Sequence, residues 1–354
     1  MTDKATLPRR TVFGVGISPS ALAERSDDPA LRRAIHEKLL EDLAVHGRLV
    51  FTCQEHQDRF VESVGGLPTS LAKAWEVMLS SKKIHVGITQ PPLQQELGDM
   101  DDPHQIDEQL CDDLELVLVE ADQAARLGVA EDEFSATTPS GLVEIGRITT
   151  AGRTTVLLAA REVLDAPLRE GLDREVEWTE RFGPLCRDAK PIVIYDRYVG
   201  QQTVRRYLHG QGGGDGLTWF LARAGSLPGR RVRIITAVTA QAAGGVRFDE
   251  EAIVAGFGKL MDSLADRDLR IELVLVPEKV RGPRGRGFER FGHDRHLRFG
   301  ERAALALGRG MQAFATATFR ETITVARLPI ADAKTREERA IKSALHPPPE
   351  GWLG

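Results

Sequence analysis

Pro191-Ile192-Val193-Ile194-Tyr195-Asp196-Arg197-Tyr198 is the stretch whose reading decides the fold. Its first five residues form an unbroken apolar run of strand length without polar alternation. That pattern suits a strand buried on both faces, as in the sheets of α/β proteins. Asp196 and Arg197 then fall just past the carboxyl end of the strand, where open α/β sheets place their sites. Forward of this point the pattern predicts a helix around 202–209, a glycine-rich turn at 211–216 and a helix at 217–224. A strand at 231–237, a helix at 249–265 and a strand at 269–277 follow, then short strands at His293, at 303–307 and at 322–328. Residues 331–354 are polar, contain Pro347-Pro348-Pro349, and read as a tail.

Backward of the same point, strands are expected at 11–17, 48–52, 83–88 and 114–119. Asp27-Asp28-Pro29 reads as a helix start, with an Asp cap and Pro in the first turn. Leu31, Ile35, Leu39 and Leu43 share a face of that helix, and Leu71, Trp75, Met78 and Leu79 mark another. Residues 134–146 read as a turn-rich loop and 162–187 as helical. The βαβαβ order favours a parallel sheet with helices on its faces. The expected class is therefore α/β, with a Rossmann-like domain over 1–187, a second α/β domain over 188–330 and the tail.

A chain of 354 residues suits two domains. Its net charge of −5 argues against a generic nucleic-acid coat, so polyanion binding must be local. Cys53, Cys111 and Cys186 are odd in number and scattered, which fits neither a zinc site nor disulfides. Gly14-Val15-Gly16 lacks a third glycine and no GK[ST] occurs, so no cofactor is expected. The first ten residues carry no apolar core and no run approaches 18 apolar residues. A cytoplasmic protein with no membrane partner is the expectation.

Two charged segments stand out. Residues 96–133 are acidic, with Arg126 the one basic side chain, and read as a solvated face or as carboxylates for divalent metals, with Asp112, Asp113 and Glu115 as candidates. Residues 279–302 are basic. Lys279, Arg281, Arg284, Arg286, Arg290, Arg295, Arg298 and Arg302 are opposed only by Glu289, Asp294 and Glu301. Guanidinium forks bind phosphate oxygens bidentately, so Arg281, Arg284, Arg286 and Arg290 are candidate phosphate contacts. At its end lies Phe291-Gly292-His293-Asp294-Arg295-His296-Leu297-Arg298-Phe299, followed by Gly308-Arg309-Gly310. On a strand, His293 and Arg295 share one face while Asp294 and His296 share the other. His293 is open to three readings: nucleophile, phosphate contact, or turn-fixing partner of Asp294. Asp196 and Arg197 are either a binding pair or a buried structural one. His296, Arg298 and Arg309 complete the candidate binding set.

The succession Tyr195-Asp196-Arg197-Tyr198, Leu217-Thr218-Trp219-Phe220-Leu221, His293-Asp294-Arg295 and Gly308-Arg309-Gly310-Met311-Gln312-Ala313-Phe314 resembles the phospholipase-D-like domain at the C-terminus of MIT-domain proteins. The resemblance covers about 188–330. It implies a phospholipase-D-like fold and a phosphodiester or nucleic acid as partner, with His293 as nucleophile and Arg295 on the phosphate. The phospholipase D family has His-x-Lys where this chain has His-x-Arg. Gly300 stands where that family has an aspartate, and relatives with "HDR" are regarded as binding modules. One motif per chain implies a homodimer for any two-histidine site. Stand-alone prokaryotic relatives imply a setting such as phage defence and a protein partner from the same operon. The alternative expectation is a dimerising, non-catalytic adaptor. A further one, from a faint likeness of the N-terminal half to PIN-like domains, is a metal-dependent nuclease.

Overall fold

The computed structural model describes residues 7, 9–23, 28–93, 95–110, 112–211, 215–243, 246–281, 288–290 and 294–346, with backbone only at 240–243, 279–281 and 288–290. The α/β class holds for both compact units, Met1–Leu164 and Asp165–Gly354. Among the described residues no helix is long and apolar enough to cross a membrane.

Unit 1 begins with β1 (Phe13–Ile17), α1 (Pro19–Ala23), α2 (Pro29–His46), β2 (Gly47–Phe51), α3 (Gln54–Gly65), α4 (Thr69–Ser80) and β3 (His85–Ile88). It continues with α5 (Pro103–Leu110), β4 (Leu116–Val119), α6 (Ala121–Arg126), β5 (Ser135–Thr137), β6 (Glu144–Arg147) and α7 (Thr155–Asp165). The sheet order is β3-β2-β1-β4-β6-β5, and every pair is parallel except β5 with β6. Successive strand residues point to opposite faces. Val15, Ile17, Leu49, Phe51, Leu116 and Leu118 enter one core; Val50, Val117, Val119 and Ile145 enter the other. Both faces are covered, which is why these strands read as unbroken apolar runs. The Asp28 carboxylate caps α2 by accepting from the amides of Ala30 and Leu31, with Pro29 in the first turn.

The expected loop at 134–146 holds β5 and the start of β6. Only Ile145 in β6 is a large apolar residue, so there was no periodicity to read. Glu144 is buried not as a core side chain but as the acceptor for the Thr155 and Val156 amides, both at 2.7 Å, at the start of α7.

Unit 2 contains α8 (Arg174–Glu177), α9 (Gly183–Asp188), β7 (Ile192–Tyr195), α10 (Val199–His209), α11 (Gly216–Ala224), β8 (Arg230–Ala243), β9 (Val246–Phe248) and α12 (Glu250–Asp262). Then come β10 (Leu269–Pro277), β11 (Lys279–Arg281), β12 (Phe288–Arg290), β13 (His296–Phe299), β14 (Ala303–Leu307), β15 (Val325–Leu328) and α13 (Ile330–Lys342). The main sheet runs β10-β8-β7-β13-β14-β15, with β9 on β8. β10, β8 and β7 are parallel, while β13, β14 and β15 are antiparallel to their neighbours. β11 and β12 form a separate antiparallel hairpin.

The dividing line falls at 164/165, not at 187/188. Residues 165–187 belong to unit 2 because their aromatics pack there: Trp178 on Trp219 and Phe220, and Phe182 on Phe220, Phe299 and Phe314. The expected tail is also corrected. Its first part is α13, whose Ala340 joins Val193, Tyr195, Ile235, Ala237, Val274 and Val276 in the core on one face of the sheet.

Candidate functional site

The unit 2 sheet brings three sequence-distant segments to one point. Tyr195 at the end of β7 pairs with His296 at the start of β13, so Arg295 lies beside Asp196. The Leu307 amide donates to the Arg295 carbonyl at 2.8 Å, which brings Gly308-Arg309-Gly310 to the same place. Gly310 has φ +55, and a Cβ there would collide with the Asp196 carboxylate and Arg295 Cδ. Glycine is thus required for two reasons, the left-handed backbone and the close approach.

Asp196 is 1% exposed. Its carboxylate accepts from the Tyr198 amide at 3.0 Å and the Met311 amide at 2.9 Å, tying the strand end to the turn after β14. Burial pushes its pKa up, against the pull of those amides and of Arg295. Arg197 is buried as well. It pairs with Glu278, and its guanidinium carbon lies 5.6 Å from the Tyr198 ring. Neither residue is exposed to a ligand, so this pair is structural in placement.

Arg295 is different. Its guanidinium carbon sits 4.8 Å over the Tyr198 ring, and Nη1 reaches the Gly308 carbonyl at 3.4 Å. Its Nε is buried with no hydrogen-bond partner. A cavity of about 240 Å³ opens beside it, lined by Tyr198, Gln201, Gln202, Arg205, Arg295 and Gln312. A second cavity of about 310 Å³ shares Gln202, Arg205 and Gln312 and adds Arg206, Arg309 and Arg320. The two adjoin at those three shared residues. Together they form a cleft between α10 and the segment 309–323, lined by five arginines.

Two carboxylates line the same cleft, and both are engaged. Asp215 caps α11, accepting from the Thr218 amide at 2.9 Å, and Glu321 pairs with Arg309. Arg205 lies over the Phe248 ring with its guanidinium carbon 5.2 Å away, and Arg320 is exposed. The cleft is therefore a recess of net positive charge with planar donors on several sides, which suits phosphate oxygens.

His296 and Arg298 do not reach it. They point to the opposite face and are buried against α13. Arg298 donates to both Glu337 oxygens, with Nε at 2.8 and 3.1 Å and Nη2 at 2.6 Å, and Nη1 donates to the Gly300 carbonyl at 2.8 Å. His296 Nε2 lies 3.2 Å from Glu337 Oε1, and its ring stacks on Tyr195 at 4.7 Å. Burial opposes the charge on Glu337. The bonds from Arg298 and His296 outweigh it and hold the carboxyl below its ordinary pKa. Asp294 pairs on the same side with Arg336 at 2.8 Å. The strand parity read from sequence thus separates Arg295, in the cleft, from His296, buried under α13, and Asp294, exposed on the α13 side.

Of the basic segment, Arg281 and Arg290 lie on the β11–β12 hairpin, and His293, Arg284 and Arg286 lie outside the described residues. Sequence reasoning missed Arg205, Arg206 and Arg320. The available signal was Gln202, Arg205 and Arg206 at i, i+3 and i+4 on the first helix after the strand end.

In unit 1, the carboxylates named for metal chemistry do not converge. Glu115 accepts from the Gly14 amide and from Arg10, Asp113 accepts from the Gln90 amide, and Asp112 is exposed. Among the described residues no group of three or more His, Cys, Asp or Glu side chains is placed to hold a metal ion. Comparison with protein-family models, with curated proteins and with solved structures finds no match.

Proposed function

We propose that this chain is a phosphodiester-binding protein that seats the phosphates of a nucleic acid in the unit 2 cleft. The observation that carries this reading is the recess itself: Arg205, Arg206, Arg295, Arg309 and Arg320 line two adjoining cavities against two carboxylates, Glu321, which pairs with Arg309, and Asp215, which caps α11. The resemblance to the phospholipase-D-like domain supports it, because Arg295, the residue aligned with the family's phosphate ligand, is the candidate from that motif that opens into the cleft. His296 and Arg298, which the charge pattern also offered, hold the fold.

The test is binding of a mixed-sequence polynucleotide across a salt series, comparing the protein with an Arg205→Ala/Arg295→Ala/Arg320→Ala variant whose melting is checked in parallel. Affinity should fall, and the log–log salt slope should shrink by roughly 0.7–0.9 for each lost phosphate contact. An unchanged slope in a normally folded variant would remove the cleft from the binding surface.

A further inference from the structure

We propose that the cleft takes a single strand rather than a duplex, with phosphates seated on either side of Arg205. The inference rests on the phosphodiester reading above and adds the form of nucleic acid.

The first argument is shape. Each of the two cavities, about 310 and 240 Å³, is on the scale of a small-molecule pocket. A duplex presents its phosphates on a convex cylinder whose major groove alone is about 12 Å wide. That surface can lie across the mouth of this recess but cannot enter it. Arg295 is half-buried, stacked on Tyr198 and with its Nε out of solvent, whereas Arg205, Arg309 and Arg320 are exposed, so a ligand lying across the mouth meets those three and one that enters also meets Arg295.

The second argument is length. Along α10, Tyr198 to Arg206 spans roughly 12 Å at 1.5 Å per residue. Arg205 lines both cavities, with Arg295 in the one and Arg309 and Arg320 in the other. A ligand with one anionic group leaves one side of Arg205 empty, whereas a strand fills both.

The third argument is the chemistry between the cations. Gln201, Gln202 and Gln312 carry both a donor and an acceptor, which suits base edges exposed only in an unpaired strand. The Arg295 guanidinium on Tyr198 offers a plane of the kind on which unstacked bases sit.

Fluorescence anisotropy on the intact protein decides it, using a labelled ten-nucleotide DNA strand, the same strand as RNA, and the corresponding duplexes at one salt concentration. At least one of the two single strands should bind about ten-fold or more tightly than its duplex, the gain expected from one stacked base. Arg295→Ala should lose about that factor on the strand and leave duplex binding unchanged. Gln312→Ala, at an exposed position, gives the same readout should Arg295→Ala melt early. Duplex binding as tight as strand binding, or strand affinity indifferent to both substitutions, overturns the inference. If duplex binding falls with Arg205→Ala, the phosphodiester reading stands while the single-strand inference fails. If no oligonucleotide binds, both fall.

Discussion

Glu337→Ala should destabilise unit 2 severely, although Glu337 lies in a segment whose sequence reads as a tail. The substitution removes the carboxylate paired with Arg298, which is 3% exposed, and strips three close donor contacts from that guanidinium, leaving it the Gly300 carbonyl among the described residues. It also removes the partner of His296 Nε2. Breaking a buried pair by deleting one member costs about 3–5 kcal/mol, because the remaining charge stays buried and uncompensated. For a unit of this size, 1 kcal/mol moves Tm by about 2–4 °C, so the unit 2 transition should fall by roughly 6–20 °C. Differential scanning calorimetry reads it directly. The double variant Glu337→Leu/Arg298→Met should recover much of the loss, since apolar replacement of a buried pair is often neutral. The pair also sets a pH response. Glu337 is held below its ordinary value of 4.5, so its contribution is complete above that pH and is lost as acid titrates it through the lower folded value. A Tm change under about 2 °C for Glu337→Ala would refute the claim that α13 is tied to β13 by this pair.

Gly310→Ala should cost unit 2 about 1–2 kcal/mol from the left-handed backbone alone, and more from the overlap with Asp196 and Arg295. Nucleic-acid affinity should fall with it, and a variant with normal melting and binding would show that the turn is not confined. In unit 1, burial pushes His36 down to about 4, with Arg32 adding to the shift, and its Nδ1 accepts from Trp75 Nε1 at 3.1 Å, which requires the neutral ring. The unfolded chain binds that proton near 6.5, so unit 1 stability should decline as pH falls from 6.5 towards 4. His36→Leu should flatten that slope in pH-dependent chemical denaturation, and an unaltered slope would assign the loss to other groups.

The sequence by itself determined the central strands of the two sheets, β1, β2, β4, β7 and β8, because a strand buried on both faces must be written as an unbroken apolar run. Val193, Ile194, Val117 and Leu118 could be read that way, and so could the Asp28-Pro29 helix start. Strand parity also told Arg295 from Asp294 and His296. What escaped were two elements anchored by a buried carboxylate. β6 is held through Glu144, and α13 through Glu337 on Arg298 and His296 beside small residues, Ala333 and Ala340, that make a weak apolar signal. Within α2 the buried face runs through His36, Leu39, Leu40 and Leu43, while Leu31 is 53% exposed, so even a regular leucine spacing did not say which residues face the core. The same limit governs the site. A run of arginines looks alike whether its members line an open cavity, as Arg295 does, or neutralise a buried carboxylate, as Arg298 does three residues later. Only the tertiary structure decides between them, because the sign of the local field depends on which carboxylates the fold brings within hydrogen-bond reach, and Glu337 is 39 residues away in the chain.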